Sequence, residues 1–431
     1  MATRAPFLKK RYSAYHHRYV PPEDGELTHV GPDTPCGEYM RRFWQPICYS
    51  DELKDLPLAV KVLGEELVAF REGSGAVGLL ERHCPHRGTS LEFGLVSATG
   101  IRCCYHGWLF GVDGTILETP GEPATSTLKN RLCHGAYPVH EAHGLVFGYM
   151  GPPEQVPAFP TYDSFTRTGF RLIPGQKYFY PCNWLQILEN AMDPVHTAFL
   201  HTIVSGAVFT DEFGVLPELE FVETPVGMIY VATRRVGDKI WARMVENVLP
   251  NLQQVAPIWE NGQQAHPFSG PMMSRWIVPL DDTNTMLIEL RHVSETTGGA
   301  PDWWGDRSVM LPGQLGADSY EESQRRPGDF EAQVSQRPIA VHGLEHLGTT
   351  DRGITMFRNQ IRRGIGAVKT GGDPVGVFRD GGGVIPTYCN DTVVRVPLAA
   401  TPELDKKLLR ETGRRLAEGY IKAPPLLAAA E

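Results

Sequence analysis

Two short arms, Cys84-Pro85-His86-Arg87-Gly88 and Cys103-Cys104-Tyr105-His106-Gly107-Trp108, each carry one sulfur and one imidazole, with sixteen residues between His86 and Cys103. No other segment constrains the fold as tightly, because arms of this composition invite convergence on one metal centre. A [2Fe–2S] centre with two thiolates on one iron and two imidazoles on the other needs this donor set. The imidazole pair carries less negative charge than a second thiolate pair, which raises the reduction potential. Zinc fingers and ribbons also use two Cys and two His, but usually pair like with like. A Cys84–Cys103 disulfide would leave both imidazoles unexplained. Each arm ends on a glycine, Gly88 or Gly107, that suits a tight ligand loop.

Cys84, His86, Cys103 and His106 are therefore read as the ligands of a Rieske [2Fe–2S] cluster. Cys104 would fit only by shortening the second arm to C-x-H, so it is expected to be a buried neighbour. An electron carrier of this kind implies a redox reaction elsewhere in the chain.

The chain is long enough, at 431 residues, for two or three domains. It has no apolar run able to span a bilayer, and Met1 to Val20 lacks the apolar centre of a signal peptide. A cytoplasmic protein without a membrane partner is expected. The formal charge of −9 argues against a nucleic-acid surface. The remaining cysteines (36, 48, 133, 182 and 389, besides Cys104) lack the spacing of a disulfide scaffold and read mostly as buried thiols.

The pattern predicts an α+β protein. Residues 1–40, polar and punctuated by Pro and Gly, read as an N-terminal arm. Residues 41–155 form short β-type runs separated by turns, including Leu58–Leu63, Glu66–Arg71 and Leu145–Met150, and predict a small antiparallel β domain presenting both ligand loops. The Pro-rich stretch at 153–160 marks the boundary. Within 156–431, a helical pattern over 183–200 precedes runs at Glu218–Glu223, Met228–Arg234, Ile240–Leu249, Met273–Pro279 and Thr285–Ser294, which suit one broad antiparallel sheet. Helices are expected over Asp351–Gly364 and Pro402–Ile421. No phosphate loop and no dinucleotide fingerprint occurs, so electrons must come from another protein.

Asp193, His196 and His201 form D-x-x-H-x₄-H. Two His and a distant carboxylate suit a mononuclear Fe(II) site with an open face. In a regular helix a five-residue step turns the second His by about 140° from the first, so the helix must bend or bulge. Pro194 favours that irregularity by pushing residue 193 out of the helical region.

Together the motifs resemble the oxygenase (α) subunit of Rieske non-haem iron aromatic-ring-hydroxylating oxygenases, most of all the phthalate-dioxygenase-like branch built of α subunits alone. The resemblance also covers His29 to Gly37, Arg42-Phe43-Trp44-Gln45-Pro46, Cys182 to Gln186 and Glu345 to Gly353. It implies a Rieske domain feeding a helix-grip (START-like) catalytic domain. His196 and His201 would ligate Fe(II), with Asp329 as third ligand and Glu331 as its rival. Asp193 would orient His196 and reach Rieske His106 of a neighbouring subunit in a homotrimer or stacked trimers.

The resemblance further implies a flavin/iron–sulfur reductase or a ferredoxin as electron donor, with O₂ as oxidant. The expected reaction is mono- or dioxygenation of an aromatic compound, above all an aromatic acid. Demethylation or ether cleavage is the alternative on the same scaffold, and a bare electron carrier would leave D-x-x-H-x₄-H without purpose. Arg234, beside Arg235, is the candidate anchor for a substrate carboxylate, by likeness to the phthalate enzymes. Trp303 and Trp304 are read either as a lid or as a surface loop.

Overall fold

In the computed structural model, residues 11–16, 18–206, 209–260, 263–295, 306–311, 313–317, 319–381 and 383–428 are described. Residues 25–40 correct the reading of that part of the N-terminal segment as an arm. Two short helices, α1 (Gly25–Thr28) and α2 (Pro35–Met40), place Leu27, Val30, Cys36, Tyr39 and Met40 in the main core. Their apolar residues are too sparse to show a period, and Val30 lies in the connection between the two helices.

Three small antiparallel sheets follow. Strands β1 (Trp44–Tyr49), β9 (Val139–Ala142) and β10 (Leu145–Tyr149) pair in the order β1-β10-β9. Strands β2 (Leu58–Val62), β3 (Glu65–Arg71) and β4 (Val77–Glu81) form a meander. Strands β5 (Leu95–Ser97), β6 (Gly100–Arg102), β7 (Leu109–Phe110) and β8 (Ile116–Glu118) complete the third sheet. The two ligand arms occupy the β4–β5 and β6–β7 connections. Beneath them lies a separate core of Val68, Phe70, Leu80, Leu91, Ile101, Trp108, Phe110 and Ile116, which also takes in Cys84 and Cys103.

The second part is built on an eight-stranded antiparallel sheet. Its strands are β11 (Phe170–Tyr180), β12 (Glu218–Thr224), β13 (Gly227–Val236), β14 (Lys239–Val248), β15 (Leu252–Val255), β16 (Met273–Asp281), β17 (Asn284–Ser294) and β18 (Asn390–Arg395). The order is β11-β17-β16-β15-β14-β13-β12, with β18 sharing the β15 edge of β14. Helices α3 (Trp184–Asn190), α4 (His196–Ala198), α5 (Tyr320–Arg325), α6 (Asp329–Val334), α7 (Arg352–Lys369) and α8 (Pro402–Lys422) surround it.

Both faces of the sheet centre are covered, as the alternation along β13 shows. Ile229 and Val231 pack toward α8 with Ala417, whereas Met228, Tyr230 and Ala232 join the main core with Phe357 and Ile361 of α7. At the α2–α7 crossing a side chain on Gly364 would strike the Tyr39 ring at 2.4 Å, so glycine permits the close approach. The α+β, helix-grip architecture expected from the sequence is the one observed. Among the described residues, no helix is long and apolar enough to cross a membrane.

Candidate active site: two metal centres and a cavity

The two ligand arms fold into near copies of one tight loop. The N–H of Cys84 donates to the Thr89 carbonyl at 2.9 Å, and that of Cys103 to the Trp108 carbonyl at 2.9 Å. The N–H groups of Gly88 and Gly107 return to the carbonyls of Cys84 and Cys103. Gly88 has φ +76° and Gly107 φ +75°, a left-handed turn that disfavours side-chain-bearing residues. The cysteines point inward, with Cys84 2% and Cys103 4% exposed, while His86 and His106 lie at the surface.

The His86 and His106 rings lie 4.4 Å apart, and His86 stacks on Trp108 at 4.8 Å and 4°. Burial pushes the Cys84 thiol up to about 11, and the adjacent Cys103 adds to the shift. So buried a thiol as Cys84 resists ionising alone, whereas iron binds cysteine deprotonated. Neither forms a disulfide. The donor set fits a [2Fe–2S] group held sulfur-inward and imidazole-outward. Cys104, expected to be buried, is exposed, because neighbours in so tight a loop point opposite ways; Cys133 is exposed as well.

The second centre begins where the predicted helix breaks. Asn183 caps α3, accepting from Leu185 N–H at 3.1 Å, and its amide ties the cap to the Thr28 and Asp282 carbonyls. The chain leaves the helix after Asn190. Asp193 accepts from the Val195 N–H at 2.8 Å just before α4, and Phe199–Val204 continues as a π-helix. Its wider i→i+5 turn brings residues five apart toward one side, a device frequent at functional sites. The bend inferred from the rotation between His196 and His201 is thus present, and the two rings lie 5.2 Å apart at 70°.

Helix α6 delivers the carboxylate. Asp329 is its first residue, and Gln186 of α3 locks the two helices together by donating to the Gln333 and Arg337 carbonyls at 2.8 and 3.0 Å. Asp329 Oδ1 lies 3.3 Å from His201 Nε2 and 3.7 Å from His196 Nε2. Burial opposes its ionisation, but the two imidazoles outweigh that and hold it well below the usual carboxylate range. Among the described residues, Oδ1 is buried without a hydrogen-bond partner. An orphaned anionic oxygen beside two ring nitrogens fits a divalent cation, and two His with one carboxylate suit non-haem Fe(II).

The rival, Glu331, is fully engaged elsewhere: it accepts from Gly328 N–H at 2.8 Å, Ser323 Oγ at 3.0 Å and Ala317 N–H at 3.3 Å. Asp193 lies outside the triad, with Oδ2 3.7 Å from His196 Nδ1. That separation is an electrostatic contact longer than a hydrogen bond. Burial alone would lower the basicity of His196, yet Asp193 and Asp329 together raise it.

A cavity of about 490 Å³ opens beside the triad. Phe209, Phe213, Val245, Val255, Ile258 and Leu311 contribute to its apolar wall, and Arg243, Gln253, Arg275 and Gln314 to its polar side. Three strands of one sheet supply i, i+2 pairs to it: Arg243 and Val245, Gln253 and Val255, Met273 and Arg275. Arg234 is not among the lining residues. It is buried behind them, donating to the Val215 carbonyl at 2.8 Å and to Thr197 Oγ1 at 3.0 Å, and burial brings it down to about 10. Arg235 is taken up by Asp405. Trp303 and Trp304 lie outside the described residues.

A Rieske [2Fe–2S] domain profile matches residues 43–130. The oxygenase subunit of tert-butanol monooxygenase / tert-amyl alcohol desaturase from Aquincola tertiaricarbonis is 44% identical, over 94% of this chain and 90% of that protein. The chain belongs to the Rieske oxygenases. Phenoxybenzoate dioxygenase subunit alpha from Ectopseudomonas oleovorans is 38% identical over 88% of this chain and 93% of its own length. Among solved structures, Pseudomonas putida CBB5 NdmA with caffeine superposes with a TM-score of 0.62 at 20% identity, over 78% of this chain and 94% of that one, a likeness of fold. This Rieske oxygenase is an iron-dependent oxidoreductase that uses a [2Fe–2S] cluster and a mononuclear non-haem iron, and it is the oxygenase component of its system.

Proposed function

We propose that this Rieske oxygenase inserts oxygen from O₂ into a small aromatic acid, bound in the 490 Å³ cavity beside His196, His201 and Asp329. One observation carries the substrate class: among the described residues, two guanidinium groups line an otherwise largely apolar cavity with only neutral direct partners. Arg243 donates to the Tyr230 hydroxyl at 2.7 Å and to the Ala256 and Pro257 carbonyls. Arg275 donates to Gln253 and, at 3.3 Å, to Gln314. Across the strand pair Glu289 is itself pushed up to about 7 by burial, which weakens it as a counter-ion. Buried charge is costly without a partner, and a substrate carboxylate supplies one through charge-assisted hydrogen bonds. The relative named for phenoxybenzoate, an aromatic acid, supports the same class.

In this reading Cys84 and Cys103 hold one iron of the cluster, and His86 and His106 the other. His196, His201 and Asp329 hold the mononuclear iron. When bound, the cluster supplies single electrons and the mononuclear iron supplies the site for O₂ activation. The apolar wall excludes water from the reacting face, Arg243 and Arg275 orient the acid, and Asp193 orients His196.

The half-exposed carboxylate of Asp193 suits contact with His106 of a neighbouring copy in a homotrimer or stacked trimers. A reductase or ferredoxin delivers the electrons. Eight free cysteines suit a reducing cytoplasm. We divide the chain into residues 1–40, a Rieske domain at 41–155 and a catalytic domain at 156–431, with Leu27, Val30, Cys36, Tyr39 and Met40 of the first segment packed into the main core.

A second reading draws on the 44% identical relative named for a tertiary alcohol: monooxygenation of a branched alcohol in the same cavity. Turnover with NADH, a flavin–iron–sulfur reductase and ¹⁸O₂ separates the possibilities. Two labelled oxygens in the product of a phenoxybenzoate mean dioxygenation, one means monooxygenation, and formaldehyde from a methoxybenzoate means demethylation. Turnover of tert-butanol with none of aromatic acids would overturn the aromatic reading.

A further inference from the structure

Asp329 has two chemically equal oxygens, and only one faces the histidines. Gln314 breaks that symmetry. Its amide Nε2 donates to Asp329 Oδ2 at 2.6 Å, leaving Oδ1 as the free donor between His196 and His201. The orientation of Gln314 is itself set from behind. Its Oε1 accepts from the Tyr180 hydroxyl and from Arg275 Nη1, each at 3.3 Å, so the amide nitrogen must point at Asp329. Gln314 is 7% and Asp329 6% exposed, so water competes little for these bonds. Gln253, Arg275, Gln314 and Asp329 all line the cavity and form one continuous polar rail along it.

We propose that Gln314 is a positioning residue that presents Asp329 to the iron through Oδ1, and that its bond to Arg275 makes this setting sensitive to an acid bound in the cavity. The inference rests on His196, His201 and Asp329 being the iron ligands. A donor on Oδ2 occupies that oxygen and favours coordination through one oxygen over chelation by both. A carboxylate on Arg275 forms a charge-assisted bond that competes with the long bond to Gln314. The amide then keeps only Tyr180 as its rear restraint, and its hold on Asp329 slackens. Substrate binding is thereby transmitted to the iron through a side chain that need not touch the substrate.

The test uses the intact protein loaded with both metal groups. Gln314→Met keeps the length and removes the donor. Iron release to a chelator should become about 10- to 100-fold faster, as when other hydrogen-bond partners of metal ligands are removed. The EPR spectrum of the ferrous–nitrosyl adduct should change, while the Rieske visible spectrum and Tm stay near wild type. In the wild type, 3-phenoxybenzoate should shift the nitrosyl spectrum. In Gln314→Met and in Arg275→Met that shift should vanish.

Wild-type iron release and an unchanged nitrosyl spectrum in Gln314→Met overturn the positioning role. No shift in the wild type, or a full shift in Arg275→Met, overturns the coupling, and the latter decides the matter if Gln314→Met does not fold. Asp329→Ala serves as the control: if it retains the mononuclear iron, the ligand assignment has failed, rather than the role of Gln314.

Discussion

In the cluster loops the backbone does the assembling: Cys84 and Cys103 each start a short hydrogen-bonded turn closed by a left-handed glycine, and their four candidate ligands lie within a single stretch of chain. At the iron pocket the proposed ligands come from a broken helix and from the first residue of α6, far downstream, joined by side chains such as Gln186 and Gln314. The cluster loops lie at the surface, with imidazoles outward, where electrons must enter and leave. The candidate triad is largely buried beside the cavity, where substrate would be held and water excluded. A site made by local turns tolerates exposure because its own hydrogen bonds shape it. A site made by distant elements needs the core around it.

The sharpest way to break this comparison is to remove one ligand from each region. Cys103→Ser should abolish the Rieske visible and EPR signals and all turnover, whereas exposed Cys104→Ser should keep both. A cluster surviving in the first variant and lost in the second would reverse the assignment. Asp329→Ala should lose the mononuclear iron and turnover while keeping the Rieske spectrum, read by metal analysis against cluster absorbance.

Smaller effects sharpen it. Arg275→Gln should raise KM for an aromatic acid by about 10- to 100-fold, the range of a lost hydrogen bond to a charged group, and leave a neutral analogue nearly unaffected. Equal losses for both would place Arg275 outside substrate recognition. Asp193→Asn should retain both metal centres yet slow electron transfer between them by about tenfold or more, read by single-turnover stopped flow. Loss of iron instead would make Asp193 a ligand.

The smallest effect concerns the sheet behind the pocket. Burial pushes Glu246 up to about 8 from an ordinary 4.5, so the folded state keeps a proton that the unfolded state releases between those values. Stability from this group therefore falls as pH rises through that window. Glu246→Gln should flatten the decline of Tm between about pH 4.5 and 8; an unchanged slope would show that Glu246 does not titrate there.

Much of both metal sites could be read in the sequence, for different reasons. C-x-H and C-x-x-H are short enough that chain connectivity alone brings their ligands together. The five-residue step from His196 to His201 required a distorted helix, and the structure has a π-helix there. Asp329 came forward only through the family resemblance, since no local pattern joins it to the histidines. Nothing local in the sequence marks Arg243, Arg275 or Gln314. Strands β14 and β16 are buried on both faces, so alternation in polarity does not mark which side meets a cavity. Arg234 was the candidate anchor, yet it points behind the wall that Arg243 faces. The apolar residues of α1 and α2 were read as an arm because a single helical turn shows no period.

By itself the sequence determined the chemistry: which atoms can bind iron and where a helix must bend. These follow from residue identity and short-range geometry. Only the tertiary structure decided which carboxylate meets His196 and His201, which arginines face the cavity, and that Gln314 stands between Arg275 and Asp329. Those relations join residues that are distant in sequence, and they exist only once the sheet has set its register and the helices have docked on it.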